Sequence, residues 1–274
     1  MKLRCENLVK KYGPRTVVKG VSMEVEQGEI VGFLGPNGAG KTTSFYMITG
    51  LVVPNAGKIY LDDEDITKLP MFKRSQKGVG YLAQEASVFR HMTVEDNIMS
   101  VMEMSKQFTK EERKQRLEDL LDEFNLHKVR KSTGIQLSGG ERRRTEIARA
   151  VAINPSFILL DEPFAGVDPI AVEDIQSIVA TLKQKNIGVI ITDHNVDETL
   201  EITDRTYLLY EGKILKAGTA EELANDEMVR KVYLGQNFQL RGRKSAAMER
   251  IEAEQKAALE QLKAESSNSE VQNQ

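Results

Sequence analysis

The chain has 274 residues, 40% of them hydrophobic, and a formal net charge of −3 at pH 7, which allows a sizeable core in one or two domains. The slightly acidic balance argues against a nucleic-acid-binding protein, which usually carries a basic stripe, and no apolar run approaches the roughly 18 residues needed to cross a bilayer. Because the single cysteine, Cys5, excludes a disulfide framework and no signal-peptide core opens the sequence, we expect a cytoplasmic protein.

The first 33 residues predict antiparallel β structure. Residues 17–25 alternate apolar and other side chains, and turn signals stand at residues 13–14 and 27–28. Residues 29–34 form a short apolar run of the kind that a buried strand requires. A strand is therefore expected to lead directly into whatever follows residue 34.

Residues 35–42 read G-P-N-G-A-G-K-T, the G-x-x-x-x-G-K-[ST] spacing of a phosphate-binding loop between a strand and a helix predicted to begin at Lys41. Glycines let backbone N–H groups turn towards phosphate oxygens, and the helix N-terminus adds a partial positive charge. We expect Lys41 to contact the β- and γ-phosphates and the Thr42 hydroxyl to bind Mg²⁺. The nucleotide-binding residues predicted here are Gly35, Pro36, Asn37, Gly38, Ala39, Gly40, Lys41, Thr42 and Thr43.

Between the phosphate loop and residue 137, the sequence predicts short strands at 58–61 and 79–82, followed by a mainly helical insertion near 90–137. Its helical pattern runs from about 94 to 124 and ends in an apolar stripe of leucines and a phenylalanine. With the helix after residue 137 included, we place a helical subdomain at about residues 90–155.

A helix is predicted to begin at Ser138 in the segment L-S-G-G-E-R, residues 137–142. Ser138 is a favourable N-cap, and Gly139 and Gly140 leave backbone N–H groups exposed at the helix start. The segment is therefore a second candidate anion site. We expect the arginines at 142–144 to form a solvated or ion-paired face of the helix.

Residues 157–163 predict a buried strand that ends in two adjacent acids, Asp161 and Glu162. The carboxyl ends of strands are where open α/β sheets bind ligands. We expect Asp161 to hold Mg²⁺ through water and Glu162 to polarise an attacking water as a general base. A further buried strand at 189–192 and a hairpin turning at 211–212 complete a parallel α/β core with an antiparallel β layer.

These motifs, in this order, resemble those of the ATP-binding cassette ATPases of ABC transporters over about residues 3–235. The resemblance rests on residues 35–42, Gln84, residues 137–140, 160–163 and 166–168, and His194. It implies an α/β P-loop NTPase fold of the ABC ATPase type: a RecA-like parallel core with an antiparallel β subdomain and a helical subdomain, in an ATP-binding domain at residues 1–240. It also implies ATP and Mg²⁺ as cofactors. In such homodimers each ATP lies between one subunit's phosphate loop and the Ser138–Gly139–Gly140 helix start of the other.

The resemblance also assigns individual roles. Tyr12 matches the aromatic residue that stacks on adenine, and Gln84 the glutamine that contacts Mg²⁺ and the attacking water. His194 matches the histidine that contacts the γ-phosphate, and Asp168 the aspartate of the loop that crosses between subunits. Asp168 also fits a plain helix N-cap before Pro169. The implied catalytic residues are Glu162, His194 and Gln84, and the implied metal ligands are Thr42, Gln84 and Asp161.

Several segments are more similar to one branch, the ATPases of bacterial lipopolysaccharide export. These segments are residues 84–90, 138–144, 164–170, 192–196 and 232–235. Membership of this branch implies integral membrane transporter subunits that handle a lipid substrate, with this chain peripheral on the cytoplasmic face of the inner membrane.

We expect the region around Phe89 to contact the membrane subunits, with Phe89 and Met92 forming the floor of a groove for a short partner helix. Ordinary packing of the insertion is the alternative. Two other functions stay open: an importer ATPase of the branched-chain amino-acid type, and a soluble ABC protein acting on ribosomes or DNA. Residues 241–274 predict a charged helix or a disordered tail, with a partner-binding helix as the alternative.

Overall fold

The computed structural model describes residues 1–105 and 107–240, so the predicted tail at 241–274 lies outside the described residues. The strands are β1 (Lys2–Tyr12), β2 (Arg15–Glu26), β3 (Ile30–Leu34), β4 (Ala56–Leu61), β5 (Glu64–Asp65), β6 (Val79–Leu82), β7 (Phe157–Asp161), β8 (Gly188–Thr192), β9 (Arg205–Tyr210) and β10 (Lys213–Gly218). The helices are α1 (Lys41–Thr49), α2 (Met71–Gln76), α3 (Val94–Ser105), α4 (Lys110–Glu123), α5 (Gly139–Val151), α6 (Pro169–Gln184), α7 (Val196–Ile202), α8 (Ala220–Asn225) and α9 (Glu227–Val229). None of the helices in this part of the chain is long and apolar enough to cross a membrane.

The predicted antiparallel layer is confirmed as a four-stranded sheet in the order β2-β1-β4-β5. Leu3 of β1 pairs with Val25 of β2 on one side and with Leu61 of β4 on the other. All three side chains are buried, because residues paired across neighbouring strands face the same side of the sheet. Strand β3 does not belong to this layer and lies in the second sheet, so the antiparallel prediction for residues 1–33 is too long at its carboxyl end.

The second sheet has six strands in the order β10-β9-β3-β8-β7-β6. Strands β9, β3, β8, β7 and β6 run parallel, and β10 pairs antiparallel with β9 in the predicted hairpin. Every residue of β3, β7 and β8 is buried, as expected for strands covered on both faces. The carboxyl ends of β3, β7 and β8 meet at one edge. The predicted phosphate loop follows β3, the acid pair spans the end of β7, and the predicted histidine lies two residues after β8.

The helical stretch predicted at about 94–124 consists of two helices, α3 and α4. Helix α4 begins at a capping box in which Thr109 and Glu112 satisfy each other's backbone N–H groups, and this cap starts a new helix after α3 ends. Apolar residues of α3, α4 and α5 share one core cluster with the parallel sheet, including Ile98, Leu120 and Leu160. The helical region is thus packed on the edge of the sheet that carries β6 and Gln84. Its limits at about 90–155 stay a prediction.

Candidate functional site

The phosphate loop connects the buried strand β3 to helix α1, as predicted. Gly38 and Gly40 have φ values of 76° and 105°, which side chains with a Cβ rarely adopt. Gly35, with φ 151°, lies so close to β9 that an added Cβ would be 2.1 Å from the carbonyl oxygen of Leu209. The loop therefore needs glycine at these positions, both for its turn and for its close approach to the neighbouring strand.

Lys41, the first residue of α1, folds back over the loop. Its Nζ donates hydrogen bonds to the carbonyl oxygens of Gly35 at 2.6 Å and Pro36 at 3.3 Å. Burial lowers the pKa of this ammonium group, and the negative charges of Glu162, Asp161 and Asp193 oppose that shift. The predicted phosphate-contacting lysine thus lies near both predicted acids, and loop carbonyl oxygens hold its ammonium group in place.

Asp161 ends β7 at the edge of the sheet beside the loop. Its Oδ2 accepts a hydrogen bond of 3.2 Å from the Tyr81 hydroxyl. Its Oδ1 is buried and has no hydrogen-bond partner among the described residues, and the same holds for Oγ1 of Thr192, which pairs with Asp161 in the sheet. Burial raises the pKa of the Asp161 carboxyl. A buried carboxylate oxygen without a partner fits a hard cation such as Mg²⁺.

No cluster of three or more His, Cys, Asp or Glu side chains that could hold a metal exists among residues 1–105 and 107–240. A magnesium ion at Asp161 would therefore need oxygens from other sources, which are typically water and substrate phosphates. The predicted ligands Thr42, Gln84 and Asp161 offer hydroxyl, amide and carboxylate oxygens, the type of ligand that Mg²⁺ takes, and water and phosphates would complete its coordination.

Glu162 contacts the two other residues predicted to be catalytic. Its Oε2 accepts a hydrogen bond of 2.5 Å from Gln84 Nε2, and its Oε1 lies 2.7 Å from His194 Nε2. Its backbone N–H donates to the carbonyl oxygen of Thr192 at 2.7 Å, and its φ of 48° is a left-handed conformation that is uncommon outside glycine. The structure therefore brings together Glu162, Gln84 and His194, the three residues predicted to be catalytic.

Arg143 follows the ion-paired alternative for the arginine run and not the solvated one, because it is only 6% exposed and pairs with Glu146 at 3.2 Å. Its guanidinium donates to the carbonyl oxygens of both acids and of the Pro163 that follows them, and also to the Ala83 carbonyl oxygen and the Glu146 carboxylate. Arg144 matches the prediction, since it pairs with Asp174 at 2.7 Å near the surface. A run of like charges gave no signal that one member turns inward, because its partners are backbone carbonyls distant in sequence.

Sequence reasoning also missed Asp193, next to His194. The Asp193 carboxylate is buried and accepts hydrogen bonds of 2.9 Å from the backbone N–H groups of Phe164 and Asn195. Burial raises the pKa of this carboxyl, and these hydrogen bonds oppose the shift. Asp193 thus fixes the loop that carries His194 to the loop that follows Glu162.

The cleft over the phosphate loop is lined by Arg15, Val17, Asn37, Gly38, Ala39, Gly40, Lys41, Thr42, Thr43, Glu162 and His194. Tyr12, predicted to stack on adenine, is not part of this lining. Its ring is 49% exposed at the end of β1, with Lys10 Nζ 5.3 Å from its centre. Arg15 is a lining residue that the sequence motifs did not indicate.

The second candidate anion site does not line this cleft. Ser138 caps α5 by accepting from the Glu141 N–H, and the Ser138 backbone N–H donates in turn to the Glu141 carboxylate at 2.9 Å. Gly139 and Gly140 follow in the first turn, and Gly139 shares a small hollow with Gln84. Asp168 caps α6 by accepting from the Ala171 N–H at 3.1 Å, as the plain N-cap alternative requires.

The groove near Phe89 has a different lining from the predicted one. Its residues are Ala86, Val88, Arg90, Gly134, Ile135, Leu137 and Arg142. Phe89 is 50% exposed beside this groove and lies against Arg149, whose guanidinium carbon is 5.1 Å from the ring centre. The expectation that Phe89 and Met92 form the floor is therefore wrong for this groove, because neither residue lines it.

Known proteins match both the sequence and the geometry. The ABC transporter family matches residues 18–165. The chain is 56% identical to the lipopolysaccharide export system ATP-binding protein LptB of Haemophilus influenzae, over 87% of this chain and 99% of that protein. It is 53% identical to LptB of Escherichia coli K12, with the same coverage of both proteins.

Solved structures of ATP-binding cassettes match a similar share of the chain, at lower sequence identity. The ADP conformation of MJ1267, an ATP-binding cassette of an ABC transporter, superposes with a TM-score of 0.76 at 30% identity, over 86% of this chain and all of that one. A dimeric post-hydrolysis state of the cassette MJ0796, bound to ADP and Pi, has a TM-score of 0.71 at 25% identity, over 80% and 98% of the two chains. The chain therefore belongs to the ABC transporter family and has the P-loop ABC ATPase fold.

Proposed function

We propose that this chain is the ATP-hydrolysing subunit of a transporter that exports lipopolysaccharide from the inner membrane. The identity to LptB proteins, 53–56% over nearly their full length, supports the substrate class. The observation that carries the chemistry is Glu162, which is held between Gln84 and His194 beside the phosphate loop. These contacts have the geometry that a general base needs.

Binding begins at the loop between β3 and α1. Lys41 exchanges its contacts with the Gly35 and Pro36 carbonyl oxygens for the more negative oxygens of the β- and γ-phosphates. The left-handed Gly38 and Gly40 let backbone N–H groups approach the phosphates, and the start of α1 adds its partial positive charge. In this proposal Tyr12 stacks on adenine from outside the cleft lining, with an exposed ring that is free to move onto the base.

Hydrolysis requires a water aligned with the γ-phosphate and a base to take its proton. Glu162 accepts that proton at a carboxylate oxygen, while Gln84 and His194 keep the carboxylate and the water in line. Thr42, Gln84 and Asp161 would hold Mg²⁺, which would supply positive charge for the phosphate oxygens. His194 contributes a hydrogen bond to the γ-phosphate once the nucleotide occupies the cleft.

A complete site also needs the second anion site, which in this proposal comes from another copy of the chain. Ser138, Gly139 and Gly140 do not line the chain's own nucleotide cleft. A two-fold homodimer would place this helix start over the partner's γ-phosphate, with Asp168 at the crossing loop. The dimeric MJ0796 cassette bound to ADP and Pi supports this arrangement by its fold.

Membrane subunits would dock at the groove beside Phe89 and hold the dimer on the cytoplasmic face of the inner membrane. Exposed apolar side chains at its rim, Phe89 and Ile135, and two cations, Arg90 and Arg142, suit a short amphipathic helix. The membrane subunits, not this chain, handle the lipid, and no nucleic acid takes part. The division into an ATP-binding domain at 1–240 and a tail at 241–274 belongs to the same proposal.

Reconstitution tests the substrate class. The chain is co-expressed with its membrane partners, placed in proteoliposomes that contain lipopolysaccharide, and assayed for ATP-dependent release of that lipid to an acceptor. Release that requires ATP and disappears in Glu162→Gln supports the proposal. ATP-dependent uptake of an amino acid by the purified complex would establish the importer alternative, and co-purification of ribosomes or DNA without membrane subunits would establish the soluble one.

A further inference from the structure

Tyr81 makes a contact that neither the motifs nor the proposed mechanism requires. It lies on β6, pairs with Leu159 in the sheet, and its hydroxyl donates to Oδ2 of Asp161 two residues farther along β7, at 3.2 Å. Asp161 is 1% exposed, so water cannot readily replace this donor. One of the two carboxylate oxygens is thus already occupied by the protein.

The other oxygen is left without a partner. Oδ1 of Asp161 is buried and accepts no hydrogen bond from any residue that the structure describes. Oγ1 of Thr192, the residue paired with Asp161 in the sheet, also has no partner there. A carboxylate group rotates with little restriction about its last side-chain bond unless a neighbour holds it. The Tyr81 hydrogen bond therefore selects which oxygen faces the protein and which stays available to a ligand.

Tyr81 also contacts the helix that carries the other side of the site. Its ring meets that of Tyr46 on α1 edge-on, with centres 6.4 Å apart and planes at 88°. Helix α1 starts at Lys41 and Thr42, and β7 ends at Asp161. One side chain therefore contacts the two elements that carry Thr42 and Asp161, two of the three proposed metal ligands.

We propose that Tyr81 is a positioning residue that sets the orientation of Asp161 and its distance from α1 for Mg²⁺ binding. The proposal rests on the ATPase function argued above. Groups that hold a metal ligand from behind commonly change metal affinity by about 10–100-fold when they are removed. A tyrosine that serves only to fill the core would instead affect stability and leave the metal affinity of the folded protein unchanged.

The test compares Tyr81→Phe with the parent in the full-length chain, using Mn²⁺ as a spectroscopic probe. Mn²⁺ binding is followed by electron paramagnetic resonance in the presence of a non-hydrolysable ATP analogue, and analogue binding is measured separately in EDTA. Tyr207→Phe is the matched control, because its buried hydroxyl accepts from the Glu24 N–H and contacts Arg205 far from the cleft.

We expect Tyr81→Phe to weaken Mn²⁺ binding about tenfold while analogue affinity in EDTA stays within twofold of the parent. Tyr207→Phe should change neither. In an Asp161→Asn background the effect of Tyr81→Phe should vanish, because the hydrogen bond then has no metal ligand to orient. Unchanged Mn²⁺ affinity in Tyr81→Phe overturns the inference, as does an equal loss of analogue affinity in EDTA.

A failure of the proposed function has a different signature. If the parent chain binds no analogue with or without Mn²⁺, the ATPase assignment itself fails. If the parent binds both and Tyr81→Phe binds them equally well, only the role of Tyr81 fails. Should Tyr81→Phe not fold, Tyr46→Leu, which removes the ring that contacts Tyr81 from the α1 side, is tested instead. An unchanged Mn²⁺ affinity in that variant overturns the inference.

Discussion

Gln84 Nε2 donates a hydrogen bond to Oε2 of Glu162 at 2.5 Å, which links the end of one parallel strand to the end of its neighbour. The opposite carboxylate oxygen lies 2.7 Å from His194 Nε2. Both oxygens of the proposed base are therefore engaged by protein side chains, which fix the plane of the carboxylate. A water that reacts with the γ-phosphate has to compete for one of these positions.

Glu162→Gln should bind nucleotide normally and lose turnover by at least about 10²–10⁴-fold, the usual contribution of a general base. Glutamine keeps the shape and can still contact Gln84 and His194, but it cannot accept the proton. Steady-state ATP hydrolysis and analogue binding by calorimetry measure the two effects, and size-exclusion chromatography with ATP should show a trapped dimer. Glu173→Gln, on the surface of α6, is the control. Hydrolysis by Glu162→Gln at the parent rate would show that Glu162 is not the general base.

Lys41→Ala should weaken nucleotide binding about 10–100-fold, because charge-assisted hydrogen bonds to the phosphates are lost. Calorimetric titration with an ATP analogue measures this, and Lys110→Ala, an exposed lysine at the start of α4, serves as the control. Folding should be retained, since Lys41 is held only by loop carbonyls. Equal affinity in the Lys41 variant and the parent contradicts the assignment of the loop.

The parts of the site that were predictable depend on local sequence. Backbone glycines set the phosphate loop, and an N-cap with its partner three residues later sets the start of α5, so both follow from a few adjacent residues. The contacts of Asp193 with Phe164 and of Tyr81 with Asp161 could not be predicted, because these partners are distant in sequence and only the fold brings them together. The groove floor was wrong for the same reason: its lining combines residues 86–90 with residues 134–142, which are distant in sequence.

Arg143→Ala should destabilise the fold by about 3–5 kcal/mol, the range for breaking a buried, hydrogen-bonded ion pair. The change leaves the Glu146 carboxylate and carbonyl oxygens around Asp161 without their donor. Arg144→Ala is the matched control, and we expect about 1 kcal/mol or less because its partner Asp174 is half exposed. Urea unfolding measures both variants. Similar losses of unfolding free energy in the two variants would show that burial of the arginine does not determine the destabilisation.

The thiol of Cys5 should be unreactive in the folded protein. Cys5 is 3% exposed, and burial raises its pKa to about 12. Since the unfolded thiol titrates near about 8.5, its contribution to stability is fully present below that pH and is lost as pH rises towards about 12. A thiol reagent at about pH 8 should label the chain only after denaturation. Between about pH 8 and 10, the unfolding free energy of Cys5→Ala should fall less than that of the parent, and parallel pH profiles would contradict the assignment.

Phe89→Ala should leave the ATPase activity of the isolated chain unchanged and weaken its assembly with the membrane subunits. Phe89 is 50% exposed beside the groove and its ring contacts Arg149, which has no role in hydrolysis, so its removal spares the active site and takes away apolar contact area from the complex. Phe72→Ala is the control, because that ring is 60% exposed on α2, away from the groove. Co-purification with tagged membrane subunits measures assembly. Equal recovery of the two variants would place the membrane contact elsewhere on the chain.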